Sequence, residues 1–429
     1  MNEQATLRDT AERALATMRN QGFDHVQVSA TRSHTDELNI NHNEPSLLRS
    51  AECSQLTLLG IVDGRIASTE LADLSPQHVR ERARSLYADA SSAPQDAANA
   101  VSSAERRSLV QGPQQSDLDL LASKAEELLA FRARETPKMM IDEANAKHTL
   151  QRSHTLTSGG SDLACSVGCY SMSAFGTARE GQRSSSFNYT GGSTDDLARG
   201  HAADLFGLGD MLRDTEQQIH TQPLPGKFIG EVVLTPNAVS SLLDWLHGQL
   251  GDTQLIAGSS RYRDSVGQPV ASALLNLRSR FDAPGVAAVS SDGFVTPPVE
   301  IVRDGRLLTL LPSLYGSRKT GLPHVPVAKA GWEIAPGETA RAELLAGVAR
   351  GAVVGRLSMG NPAANGDFSG VIKNSFAIVD GVVGTALSEV MITGNMARML
   401  KDIIAISRER IDTGALRLPW IRIANLHFS

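Results

Sequence analysis

The chain has 429 residues, enough for two cores rather than one, and its 41% apolar and 21% charged residues match an ordinary water-soluble protein. A formal net charge of −6 without any long block of like charges excludes a dedicated nucleic-acid surface, which needs clustered Lys and Arg over the phosphates. Three cysteines, Cys53, Cys165 and Cys169, are too few and too odd a set for a disulfide-stapled secreted scaffold. No apolar run approaches the roughly 18 residues of a membrane span, and Met1–Thr10 is polar, so a cytoplasmic location is expected.

In chain order, Leu7, Ala11, Ala14, Leu15 and Met18 share one face and predict a helix over 5–20, stopped by Gly22. Val26, Val28 and Ala30 alternate with polar residues, as do Leu38, Ile40 and His42, which predicts strands. Asp63-Gly64 between Leu56–Val62 and Arg65–Leu71 predicts a hairpin. Ser75-Pro76 predicts the N-cap and first residue of a helix reaching Tyr87. Residues 90–115, rich in Ala, Ser and Gln, predict a linker or surface loop. A helix follows from Ser116, with Leu118, Leu121, Ala125, Leu128 and Leu129 expected to face inward. The short alternating runs between Met139 and Tyr189 predict an antiparallel sheet with one wet face, and 195–217 a further helix.

Pro223-Leu224-Pro225-Gly226 forbids regular structure and marks the expected boundary between a 1–222 domain and a 226–429 domain. Beyond it, Glu231–Leu234 predicts a strand and Pro236–Leu250 a helix. Asp304-Gly305 predicts a hairpin between Ile301-Val302 and 307–311, and Asp380-Gly381 one between Phe376–Val379 and Val382–Leu387. Gly366-Asp367-Phe368-Ser369-Gly370 predicts a glycine-flanked loop, its glycines free to take positive φ. Asn395 predicts an N-cap for a helix burying Met396, Met399, Leu400, Ile403 and Ile404. Strands and helices do not alternate strictly, so the fold class is α+β: two domains of mixed or antiparallel sheets with flanking helices.

Catalytic zinc requires ligands about one helical turn apart with a carboxylate beside them. None of the eleven histidines pairs that way on a predicted helix; His148 and His154 lie in a Thr/Ser-rich stretch with strand character. Cys165 and Cys169 read as free thiols on one strand face, and Ser184-Ser185-Ser186 has no nucleophile-elbow setting. Arg261, Arg263, Arg318 and Lys319 suit a carboxylate or phosphate, or else are solvated surface residues or pair across a domain interface. Asp367, Phe368, Ser369 and Gly370 are expected to line a groove or subunit interface, because turn-formers around a lone Phe leave its ring little local core.

The order glycine loop, hairpin, Ser388-Glu389-Val390-Met391-Ile392-Thr393-Gly394-Asn395, helix resembles the C-terminal signature of the TldD/PmbA family. Arg261–Gly267, Ser291-Asp292-Gly293, Ile301–Leu307, Ser313–Leu322 and the stretch 68–76 also resemble it, most closely from about 226 to 407. That family pairs a zinc metallopeptidase subunit with a metal-free sibling. In the peptidase sibling the helix after the boundary strand carries His-Glu-Xaa-Xaa-Xaa-His, and a C-terminal cysteine completes the metal shell. Here that helix reads Ser241-Leu242-Leu243-Asp244-Trp245-Leu246-His247-Gly248-Gln249, and no cysteine follows Cys169.

The resemblance therefore implies the PmbA (TldE-like) branch, with no metal or catalytic residue in this chain and zinc in a TldD-like partner. It implies a cytoplasmic heterodimer that shapes the cleft for an unfolded or modified peptide, with Asp367, Phe368, Ser369, Gly370, Arg261 and Arg263 as substrate or interface residues. A stand-alone homodimeric peptide-binding protein and a metal-independent enzyme are the alternatives.

Overall fold

A computed structural model describes residues 3–224, 226–327, 331–388 and 390–429; Pro225 of the expected boundary and Glu389 of the C-terminal signature lie outside the described residues. Among the described residues the strands form two sheets, of eight and fourteen strands, with helices packed on them in an α+β arrangement.

The first sheet is dominated by long antiparallel strands. Helix Glu3–Gln21 leads into His25–Asn41, a single strand where two short runs were expected, paired with Glu44–Val62 on one side and Met139–Thr157 on the other. Asp162–Glu180 follows Met139–Thr157 antiparallel, and Asn188–Thr194 pairs with it in turn. Asp63 and Gly64 turn into Arg65–Leu71 with φ of 48° and 71°, the paired left-handed residues of a tight hairpin. Val26, Val28, Ala30, Leu56 and Leu58 bury against helix Glu3–Gln21 and helix Pro76–Ser92. A second cluster joins helix Leu118–Glu135 and helix Leu208–Gln217 to the other end of the sheet through Leu128, Phe131, Ile141, Met172 and Leu212.

Several expectations over this half need correction. Helix Pro76–Ser92 runs past Tyr87, and within the stretch 90–115 expected as a linker or surface loop Arg106–Gln111 is a strand lying parallel to Asp162–Glu180. Its few apolar residues reflect an edge position exposed on both faces. Asp117 rather than Ser116 caps the next helix, and Leu118 is exposed because it sits in the first turn, before the buried stripe begins at Leu121. The expected helix over 195–217 is two short 3₁₀ turns followed by helix Leu208–Gln217, which begins after Gly207 at φ 75°.

The second sheet runs from Thr221 to Phe428 and is mixed: Phe228–Leu234 lies antiparallel to Leu416–Phe428 and parallel to Arg350–Val354. Helix Pro236–Leu250 packs on it through Val239, Leu242, Trp245 and Leu246, within a core that takes in Leu277, Ile301, Ile392, Met399 and Ile421. Both expected turns form, at Asp304-Gly305 and Asp380-Gly381, the aspartates at φ 48°, but the strand after Gly305 stops at Leu307 and does not run on to 311. Asn395 caps its helix, but that helix ends at Lys401. Ile403 then begins a strand beside Leu416–Phe428, and Ile404 points to solvent.

Candidate functional site

Strand Phe228–Leu234 runs directly into helix Pro236–Leu250. The Thr235 hydroxyl accepts from the Ala238 amide and Pro236 fills the first helical position, where its missing N–H costs nothing. The side chains that follow have unlike surroundings. Leu243 is buried, and with Leu246, His247 and Leu250 it faces Leu277, Ile301, Leu311 and Trp332. The His247 ring packs 4.9 Å from the Trp332 ring centre, and desolvation lowers its pKa against the opposing pull of Asp244, so the imidazole is neutral. His247 is therefore a packed ring. Gly248 points the other way, into a groove of about 380 Å³ bordered by Ser241, Asp244, Gln249, Met359 and Ala364.

Zinc does not fit this helix. Leu243 and Gly248 lie near where the resemblance would place the pair of ligands; Leu243 is core and Gly248 has no side chain. No group of three or more His, Cys, Asp or Glu that could hold a metal comes together among the described residues.

The 366–370 segment departs from expectation. Only Gly366 takes positive φ, at 92°; Asp367–Lys373 is a strand between Arg356–Met359 and Val390–Asn395. Strand alternation sends Phe368 inward, where it is 8% exposed in the main core, and leaves Asp367 and Ser369 outside. Phe368 is thus a core ring and not a free anchor. Gly370 has ordinary extended backbone; its constraint is a close approach, since a Cβ there would lie 2.7 Å from the Met359 Cβ on the neighbouring strand.

Asp367 accepts from the side-chain amides of Asn395, at 2.9 Å, and Asn365, at 2.7 Å. Those bonds, with the positive charge of Arg261 assisting, hold its carboxyl below the usual range. Gln249 links the two sides: its Oε1 accepts from the Arg261 amide and its Nε2 donates to the Ala364 carbonyl. Arg261 is therefore close enough to Asp367 for its charge to be felt, and its backbone is tied to Gln249, which borders the groove. Arg263 is half-buried and forms no ion pair among the described residues. Arg318 and Lys319 are engaged at the junction of the two halves. Arg318 donates to the Asn99 carbonyl, and Lys319 and Tyr315 both donate to Asp96, whose carboxyl Lys319, the Ala98 amide and Tyr315 bring down to about 2.

Sequence reasoning missed a second place where the halves meet. A cavity of about 340 Å³ lies between helix Leu208–Gln217, strand Asn188–Thr194 and the second sheet, with Asp210, Asp214, Arg341, Asn374 and Trp420 in its walls. Arg341 donates to Asp210 at 3.2 Å and lies 4.4 Å over the Trp420 ring. Burial, with Asp210 adding repulsion, pushes the Asp214 carboxyl up to about 7, against the attraction of Arg341 and Arg213. The only sequence signal was two aspartates four apart beside the buried Leu208, Met211 and Leu212. Cys165 is buried and Cys169 half-buried, both are free, and burial pushes both thiols up, away from reactivity.

The C-terminal half matches a family model. Residues 226–429 correspond to the PmbA/TldA metallopeptidase C-terminal domain. Over those residues, just under half of the chain, the sequence matches the C-terminal domain of the TldD/PmbA family. Within the family, the Metalloprotease PmbA of Escherichia coli O157:H7 is 30% identical over 186 residues, 39% of this chain and 41% of that protein, so the match spans about two fifths of the relative's length. TldE from Thermococcus kodakarensis superposes with a TM-score of 0.82 at 17% identity, covering 98% of this chain and 100% of that one. A proposed modulator of DNA gyrase from Bacteroides thetaiotaomicron superposes at 0.86 with 19% identity, covering 98% of each chain. At such identities the superpositions show the common fold. No helix among the described residues is long and apolar enough to cross a membrane.

Proposed function

We propose that this chain is the metal-free, TldE-like subunit of a TldD/PmbA-type peptidase, working in the cytoplasm beside a zinc-bearing sibling. The observation that carries the reading is the helix Pro236–Leu250, which places Leu243 in the core and Gly248 on an open groove near where the resemblance calls for two histidines. Hydrolysis then belongs to the sibling, whose zinc and carboxylate base activate water. This chain contributes walls: the groove beside Gly248, bordered by Asp244, Gln249 and Gln254, offers polar groups to an extended peptide. Three free cysteines agree with a reducing compartment.

Co-expression with a sibling carrying His-Glu-Xaa-Xaa-Xaa-His, followed by gel filtration and elemental analysis, tests the reading. A stable heterodimer should hold zinc and cleave an unfolded peptide, while this chain alone should retain no zinc after dialysis. Stoichiometric zinc on the isolated chain, or failure to pair with the sibling, would refute it.

A further inference from the structure

Aromatic rings are scarce in this chain, and most of them are packed away. Among the described residues only four aromatic side chains are exposed, and three of the four, Phe175, Phe187 and Tyr189, stand together, each between 39% and 46% exposed. Phe175 and Tyr189 lie directly opposite one another in the ladder between Asp162–Glu180 and Asn188–Thr194, which sets both on one face of the first sheet. The Phe187 ring joins them, its centre 5.5 Å from that of Phe175 and 6.5 Å from that of Tyr189. The second sheet adds a cation. The Arg356 guanidinium lies 4.2 Å over the Phe187 ring and 5.8 Å from the Tyr189 ring centre. Its Nε is buried, and no nitrogen of the side chain meets an acceptor among the described residues; the two terminal nitrogens, unlike Nε, keep contact with solvent. The residue directly opposite Arg356 on the neighbouring strand is Lys373, a second cation and not a carboxylate.

An exposed aromatic cluster beside an unanswered guanidinium calls for an occupant with an apolar side chain and an anion close together. An Asp or Glu inside a peptide brings the carboxylate without the ring. A nucleotide brings a ring and an anion, but its base edges need donors and acceptors that the two phenylalanine rings do not have. The last residue of a peptide, when aromatic or branched, brings both from a single Cα, and its carboxylate matches the planar fork of an arginine. The position suits a peptide as well. Arg356 opens the strand Arg356–Met359, which pairs among the described residues with Asp367–Lys373 alone, and Met359 at its other end borders the groove beside Gly248. Three extended residues span about 10 Å, so a chain lying in the groove reaches the rings within a few residues.

We propose that Phe175, Phe187, Tyr189 and Arg356 form a shelf for the carboxyl terminus of a peptide, the last side chain resting on the exposed rings and the terminal carboxylate accepting from the terminal nitrogens of Arg356. The assignment rests on the peptide-handling reading above and adds to it a preference for peptides that end in an aromatic or branched apolar residue.

Calorimetric titration of the isolated full chain with acetyl-Gly-Gly-Phe, its carboxamide, acetyl-Gly-Gly-Gly and adenosine monophosphate tests the shelf without zinc or sibling. The free acid ending in Phe should bind saturably, and its amide about tenfold more weakly, because the charge-assisted bonds are lost. The triglycine acid should bind at least about threefold more weakly for want of the ring contact. Arg356→Met keeps an apolar stem on the Phe187 ring, so it should lower the affinity for the acid to that for the amide and leave the amide unchanged. Arg356→Lys, which keeps the charge without the fork, should fall between. Phe187→Ala should weaken acid and amide alike; its ring is exposed, so the urea midpoint should stay near the parent's. Equal binding of acid and amide, tighter binding of adenosine monophosphate, parental affinity in Arg356→Met or Phe187→Ala, or no saturable binding by any probe would overturn the shelf. A chain that pairs with its sibling but ignores acetyl-Gly-Gly-Phe sinks only the shelf; one that binds it but never pairs sinks the subunit reading instead.

Discussion

Asp214→Asn should make the protein more stable, and increasingly so as pH rises. The carboxyl of Asp214 titrates at about 7 in the folded chain against a reference of 3.8, chiefly because burial penalises its charge and Asp210 repels it. A carboxyl raised in this way is protonated more readily in the folded state, so ionisation costs stability. The penalty is negligible below the unfolded value, grows as pH climbs from about 4 to 7, and stays constant above. A difference of about three pKa units corresponds to a ceiling of about 4 kcal/mol. Asp214 opens on a cavity and is not sealed from solvent, which reduces the figure to about 1–2 kcal/mol. Asn mimics the protonated acid in shape and removes the ionised form altogether. Urea unfolding followed by tryptophan fluorescence at pH 5 and pH 8 measures the effect. The variant's midpoint should exceed the parent's at both, with the larger gain at pH 8. A variant less stable than the parent at pH 8, or one with a gain independent of pH, would refute the reasoning.

Phe368→Ala should lower the thermal midpoint of the isolated chain, costing about 3–5 kcal/mol as a buried aromatic truncation, rather than spare the fold and harm only pairing. Gly381→Ala should destabilise by about 1–3 kcal/mol in urea titration, since Gly381 sits at φ 78° and the added Cβ would lie 2.4 Å from the Ala346 carbonyl oxygen. Glu333→Ala should cost about 3 kcal/mol at pH 7. It strips Arg410 of its 2.6 Å carboxylate partner and leaves a guanidinium with little exposure uncompensated. Burial opposes the charge on Glu333, but bonds from Arg278 and Arg410 outweigh it and hold the carboxyl below its usual value. Its contribution should therefore persist to acid and disappear only as pH falls through that lowered value.

Local chemistry was legible wherever neighbours in sequence decide the outcome. Asp63-Gly64, Asp304-Gly305 and Asp380-Gly381 turn as read, because a pair of positive φ values is a property of two adjacent residues. Ser75 and Asn395 cap their helices for the same reason: the bond reaches only three residues ahead. What the family resemblance implied about the fold also held, since it drew on the order of such local signals.

Tertiary structure decided the rest. Gly366-Asp367-Phe368-Ser369-Gly370 contains the residues of a turn, yet strands on both sides pull it straight. The need for glycine at 370 comes from Met359, which no local pattern announces. Ile403 continues a helical stripe in sequence, but pairing with Ile423 yields more than another turn would, so the helix stops at Lys401. The cavity gathers Asp214, Arg341, Asn374 and Trp420 from segments far apart in the sequence. Each looks unremarkable in its own stretch. Only the docking of one sheet's helix against the other sheet strips water from them together, and that shared desolvation is what raises the Asp214 carboxyl and leaves the Trp420 indole without a partner.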